Sequence, residues 1–402
     1  MKNKKVIIIL SIIIVTIVIV LGVTQFVKIK KGTKSQSEET ETIQVANNIL
    51  DKTPETLVGD GSIENPYLIQ SIEDLVLISK GVNEKSIEEG KVYRLETDLD
   101  FKSKSSYVDS EKINFAEQGD INKNGEQETL YKELTTGNGF IPIGKNINTP
   151  FSGEIQGNGH TISNLYSKNL KSYCGLIGII SSNKEQEIKI SNLTIKNAKL
   201  EGNGTGVIAG YCYQTKNILI DSCSVIGGSI NGKSGTGGII GESYSSNLKL
   251  NNCKNTANIN GIIAGGIIGI APTNLEIQNC YNEGKIEGDF FAGGIVGDAS
   301  NSEVIIKKCY NKGEITGNVA GGIICGKKIT IEDTFNLGKI DGNNMGGIIA
   351  NTDAEDLDIN INRCYYLKAT SGRGIKGVED IPGKVEILDE EAIKVKMKEI
   401  FN

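Results

Sequence analysis

Residues Gly266 to Gly297 read GIIGIAPTNLEIQNCYNEGKIEGDFFAGGIVG, one complete repeat and the start of the next. The tetrad Gly266-Ile267-Ile268-Gly269 returns 28 residues later as Gly294-Ile295-Val296-Gly297. Between them, Leu275-Glu276-Ile277-Gln278-Asn279-Cys280 alternates apolar and polar residues, the mark of a strand with one buried face. A turn follows at Tyr281-Asn282-Glu283-Gly284, where Asn and Gly tolerate left-handed backbone angles and suit a sharp corner. A third short strand, Lys285-Ile286-Glu287, leads to Gly288 and closes the unit.

The same tetrad occurs as Gly175-Leu176-Ile177-Gly178 and Gly238-Ile239-Ile240-Gly241, with degenerate copies at Val207–Gly210, Gly322–Cys325 and Gly347–Ala350. Their last residues fall at 178, 210, 241, 269, 297, 325 and 350, so successive spacings are 32, 31, 28, 28, 28 and 25. Second runs and turns recur too, at Val304 to Cys309 with Tyr310-Asn311-Lys312-Gly313, and at Phe335-Asn336-Leu337-Gly338. Three short strands and three corners per repeat, with no helix to cover them, cannot bury an apolar face alone. Stacking solves this, each coil hydrogen-bonding to the next at roughly 4.8 Å. The spacing therefore predicts an all-β fold, a right-handed parallel β-helix. The competing β-sandwich would show more varied loops and less even spacing.

The repeat resembles the Gly-Leu-x-Gly, or GLUG, motif family of bacterial surface proteins. Phe140-Ile141-Pro142-Ile143-Gly144, Phe151 to Leu165 and Gly59 to Tyr67 resemble the segments that precede such repeats. The resemblance covers most of residues 58–402 and implies the solenoid fold. It implies little about activity, because the family supplies accessory regions to immunoglobulin A-specific metallopeptidases and to many anchored proteins. The zinc motif of those peptidases has no counterpart here: His160 is the one histidine, which excludes a His-Glu-x-x-His site.

Val6 to Val27 is a run of 22 residues without a charge, about 33 Å long as a helix and enough to cross a membrane. Val20-Leu21-Gly22 is a poor cleavage site, so an uncleaved anchor is expected, with secretion as the alternative if it is cut. The first 34 residues carry seven Lys and no acid, leaving the remainder of the chain at −13 out of a net −6. An acidic body argues against nucleic acid as a partner. Gly is 49 of 402 residues and Trp is absent, so the chain must turn often and cannot rest on large aromatics.

Of the eight Cys, Cys223, Cys253, Cys280, Cys309 and Cys364 share one repeat position, which Leu193 and Thr334 occupy in other copies. An apolar substitute points to an inward ladder of buried thiols; disulfides between coils are the alternative. Tyr281, Tyr310, Phe335 and Tyr365 follow that position and would form either an outward stripe able to stack on sugars or a structural ladder over the corner. Asp120, Asn122 and Asn124, with Gly125 and Glu128, match the first half of a calcium loop, although Tyr131 stands where an EF-hand needs Glu; a polar surface turn is the alternative. A second acidic stretch, Asp353, Glu355, Asp356 and Asp358, reads as a solvated loop. No catalytic set is read, and His160 is expected to hold a corner.

Both ends of the solenoid are expected to be covered. Ser71-Ile72-Glu73-Asp74 starts an amphipathic helix, and Asp389 to Phe401 has acids first and Lys last, matching a helix dipole. The organisation expected is an anchor at 1–31, a polar linker at 32–57, a cap with entry coils at 58–170, the repeat solenoid at 171–368 and a C-terminal cap with a helix at 369–402. The functional expectation is a single-pass cell-membrane protein with an extracellular, non-catalytic body for display or adhesion, whose partners are a glycan or a surface protein. No cofactor is required, calcium aside. The alternatives are a polysaccharide lyase or hydrolase and a purely structural spacer.

Overall fold

In the computed structural model, Ile143, Ile177, Ala209, Ile240, Ile268, Val296, Ile324 and Ile349 form one continuous column, each paired in parallel with the next. From Ile177 onward these are the third residues of the tetrads. A second column runs through Tyr67, Tyr93, Ile155, Ile190, Ile220, Leu250, Ile277, Ile306, Ile331 and Ile361. A third holds Leu200, Ile230, Ile259, Ile286, Ile315 and Ile340. All the named strands pair in parallel, and the three columns make a β-solenoid of about nine turns. Its interior is packed with aliphatic side chains: Ile190, Ile220, Ile306 and Ile286 are fully buried. Each such side chain contributes roughly 1.5–3 kcal/mol on leaving water.

The structure describes residues 57–101, 139–351, 358–368 and 384–401. The described residues all belong to one compact unit, Lys52–Asn402. The anchor segment at 1–31, the candidate calcium loop with Asp120, Asn122, Asn124 and Glu128, and the acids Asp353, Glu355 and Asp356 lie outside the described residues. Among the described residues no helix is long and apolar enough to cross a membrane.

The corner is not built as the turn residues suggest. The left-handed residue is the one before the cysteine position: Asn192, Ser222, Asn252, Asn279, Lys308, Asp333 and Arg363 all have φ between 49° and 56°. Asn282 and Asn311 instead sit in two-residue strands, Tyr281–Asn282 and Tyr310–Asn311. The glycine of that turn is needed for close approach: a Cβ on Gly284 would lie 1.9 Å from the carbonyl oxygen of Ala257.

The helix α1 (Ile72–Asn83) starts at Ser71, whose hydroxyl accepts a bond from the Asp74 amide at 3.2 Å. It buries Leu75, Val76 and Ile78 against the first coils. Asn83 ties it to the entry segment, donating to the Pro142 carbonyl at 3.0 Å and accepting from the Lys145 amide at 2.7 Å. At the other end, strand Val385–Leu388 adds a last rung beside Cys364 to Leu367. The helix α2 (Glu390–Phe401) packs on a flank of the stack, not across its end.

Candidate functional site

The corner after the second strand sets three side-chain columns side by side. Cys223, Cys253, Cys280, Cys309 and Cys364 are fully buried and free, as are Cys174, Cys212 and Cys325 elsewhere in the core. The Cys253 amide lies 3.3 Å from the Cys280 sulfur, and the Cys280 amide 3.4 Å from the Cys309 sulfur. Burial pushes up the Cys223, Cys280 and Cys364 thiols, the last to about 12, and a hydrogen bond with Cys280 together with burial does the same at Cys253; outside the column, burial raises Cys212 to about 12 and Cys174 to about 11. A thiol held protonated is a poor nucleophile and metal ligand, so this column is packing.

Two residues on, Asn255, Asn282, Asn311 and Asn336 are fully buried and form an amide ladder. Asn255 donates to Asn282 at 2.7 Å, Asn282 to Asn311 at 2.8 Å and Asn311 to Asn336 at 2.9 Å. Each amide also closes its own turn; Asn311 donates to the Gly313 carbonyl at 2.9 Å and accepts from the Gly313 amide at 3.2 Å. Val225 continues the column at one end and Tyr366 at the other.

Between these columns point the aromatics. Tyr281 stacks on Tyr310 with centroids 4.6 Å apart, and Phe335 on Tyr365 at 5.1 Å. An open sugar-stacking stripe, one of the two forms expected here, does not hold at Phe335 and Tyr365. Helix α2 lays Ile393, Met397 and Ile400 over it, and Phe335 and Tyr365 are only 0% and 5% exposed. Tyr281 and Tyr310 remain half-buried, under the ammonium groups of Lys254 and Lys312 at 5.2 and 4.8 Å from their rings.

A different flank carries aromatics that the sequence reading did not single out. Tyr173 stacks on Tyr211 at 4.1 Å and 7°, and Tyr213 lies 5.7 Å from Tyr211 at 14°. Tyr244, paired with Tyr213 one rung on, is 55% exposed. The detectable signal was tyrosine at alternate positions, Tyr211 and Tyr213, with Tyr244 one coil later. Against this group sits Glu242, aligned with Tyr211. Its Oε1 accepts from the Gly235 amide at 3.0 Å, and a Cβ on Gly204 would approach the same oxygen to 2.8 Å. Burial raises its carboxyl above the ordinary range, opposed by hydrogen bonds from Ser234 and Gly235. Burial and the Glu242 charge push the Tyr173 phenol up to about 12.

An open groove of about 450 Å³ follows the second-strand flank, lined among others by Asn247, Asn274, Glu276, Glu303, Lys328 and Asp358. Glu276 pairs with Lys249 at 3.0 Å and Glu303 with Lys328 at 3.9 Å, and their side chains are 51% and 70% exposed. Both carboxylates are therefore at least half exposed, where a glycosidase acid is buried. Glu242 has the burial but is 4% exposed, out of reach of a leaving oxygen. His160 holds a corner: its Nδ1 lies 3.2 Å from Asp98 Oδ1, which also accepts from the Thr161 amide at 2.8 Å. Among the described residues no group of three or more His, Cys, Asp or Glu could hold a metal ion.

No family model matches the chain. A stretch of 192 residues, 46% of the chain, is 28% identical to Halomucin from Haloquadratum walsbyi; the match spans 2% of the length of that protein. A crystal structure from Bacteroides ovatus, provisionally described as an immunoglobulin A1 protease, is similar over 86% of this chain and 90% of its own at 17% identity, with a TM-score of 0.49.

Proposed function

We propose that the chain is a membrane-anchored surface protein whose right-handed solenoid displays a binding face outside the cell and catalyses no reaction. Right-handedness follows from the near-universal hand of parallel β-strand crossovers. The observation that carries the reading is the separation of burial from exposure among the carboxylates, Glu242 on one side and Glu276 and Glu303 on the other. A stack of buried Cys, Asn and Ile columns is stiff, and suits holding a surface at a fixed distance. The apolar segment Val6–Val27 supplies the anchor, and the resemblance to GLUG-motif surface proteins fits it. Likeness to a protein named Halomucin, a mucin by its name, supports a surface location. The partner is a glycan or a surface protein. Calcium at Asp120 to Glu128 belongs to the same proposal.

The test is protease treatment of intact cells producing the full chain with a C-terminal tag. The tag should be cell-associated and lost to external protease, and deletion of residues 6–27 should abolish the association. Digestion only after lysis would sink the reading. A second reading, a carbohydrate-active enzyme, is favoured by the groove beside Glu276, Glu303 and Asp358. Release of reducing ends or unsaturated sugars from a polysaccharide panel, lost in Glu303→Gln, would establish it.

A further inference from the structure

We infer that the depression beside Tyr213 is a binding subsite for a neutral sugar residue of a glycan chain. The proposal gives the displayed face its ligand and rests on the display reading. The depression measures about 430 Å³ and is lined chiefly by Tyr213, Gln214, Asn148, Asn183, Pro150 and Glu89. Sugar recognition needs a flat apolar surface for the ring's C–H face and paired donors and acceptors for its hydroxyls. Tyr213 supplies the first. Its ring is half-buried and lies nearly parallel to Tyr211, which stacks on Tyr173. Three rings held in register lose little freedom when a ligand binds. The carboxamides of Asn148, Asn183 and Gln214 supply the second, each offering a donor and an acceptor.

Two further observations point to the same place. Gln214 has φ of 47° and does not belong to the left-handed column before the cysteines. A side chain held in that conformation away from the repeated corner is stored strain, which concentrates at ligand sites. The loop is also fixed from beneath. Thr215 is buried, accepting from the Ser182 amide at 3.2 Å and donating to the Tyr213 carbonyl at 3.1 Å. The charge balance selects the ligand class. Glu89 faces Lys184 at 3.7 Å, so the rim offers no unbalanced charge to a uronate or a cation. A hydrophobic peptide would need an apolar groove, and beside the tyrosine ring only Ile147 and Pro150 are apolar here, against Asn148, Ser181, Ser182, Asn183 and Gln214.

The experiment is an array of neutral oligosaccharides of glucose, galactose, mannose and N-acetylglucosamine, with polyuronates alongside, probed with the full chain in detergent and followed by titration of the best binder. Wild type should bind at least one neutral glycan and no polyuronate. Tyr213→Ala should weaken that binding at least about tenfold, equivalent to about 1.4 kcal/mol. Tyr213→Phe should stay within about threefold, and Tyr281→Ala on the other flank should change nothing. Should Tyr213→Ala unfold, Asn183→Ala at the rim takes its place and should weaken binding with an unchanged melting curve. No neutral glycan bound, a preference for polyuronates, or undiminished binding by both variants would overturn the inference. A chain that is outside the cell yet binds no sugar sinks the subsite alone; a chain inside the cell sinks the display reading.

Discussion

Removing one rung of the buried amide ladder should cost more than any single exposed polar contact. Asn311 makes four bonds through its side chain: it accepts from Asn282 and Gly313, and donates to Asn336 and Gly313. Its neighbours Asn282 and Asn336 are fully buried, so no solvent replaces what is lost. At about 1 kcal/mol net per bond, Asn311→Ala should destabilise by about 4 kcal/mol. Asn255 ends the ladder beside Val225 and makes three such bonds, so Asn255→Ala should cost about 3 kcal/mol. The exposed pair Asn343–Asn318 is the control: Asn318→Ala should stay within about 0.5 kcal/mol. Urea titration followed by circular dichroism gives the midpoints. Because stacked repeats need not unfold as one unit, hydrogen exchange at Tyr281–Asn282 and Phe335–Asn336 should be read beside it. A loss below about 1 kcal/mol for Asn311→Ala, or no difference from Asn318→Ala, would refute the claim that the ladder holds the corner.

Glu242 couples stability to pH. Burial raises its folded value above 4.5, so the folded state binds more protons in the window between the two values. Its stabilisation is complete below 4.5 and is lost as pH rises through the folded value. Glu242→Gln should flatten that slope in melting temperatures taken from pH 4 to 8 and stabilise the protein at neutral pH; an unchanged slope would contradict it. Lys308 holds a left-handed φ of 51°, where Asn is more at ease. Lys308→Asn should stabilise by about 0.5–1 kcal/mol in urea titration, and its amide would extend the Asn252–Asn279 pair. Ellman titration should find no fast thiol in the native protein and eight in the denatured, unreduced protein; fewer than eight would mean bridges.

Much of the fold was legible because a solenoid writes each column into the sequence as a repeated residue. The tetrads gave one column, and the recurring Cys gave the inward position of the corner. The left-handed residue was not legible, because Ser222, Lys308, Asp333 and Arg363 fill it with side chains that do not advertise it. Arg363 is held there by a two-pronged contact with Asp333 at 2.5 and 2.7 Å, a partner 30 residues earlier. Asn282 and Asn311 looked like ordinary turn residues, since only stacking shows that each amide meets the next. The aromatics were legible as a column, but whether it lay open or covered was not, because nothing local in Glu390–Phe401 says which flank it covers. The Tyr213 flank escaped because the loop bringing Asn148 beside Asn183 is distant in sequence.

The central claim is that equal repeat positions are vertical neighbours. Lys189, Leu219, Lys249, Glu276, Ile305, Thr330 and Asn360 form one outward column. The native thiols are buried, so cysteines introduced at this flank can be spin-labelled selectively. Pulsed dipolar spectroscopy from Lys189 to Ile305, Thr330 and Asn360 should give distances near 19, 24 and 29 Å, a step of about 4.8 Å per coil. Distances that fail to rise in even steps would contradict the stacked column and everything built on it.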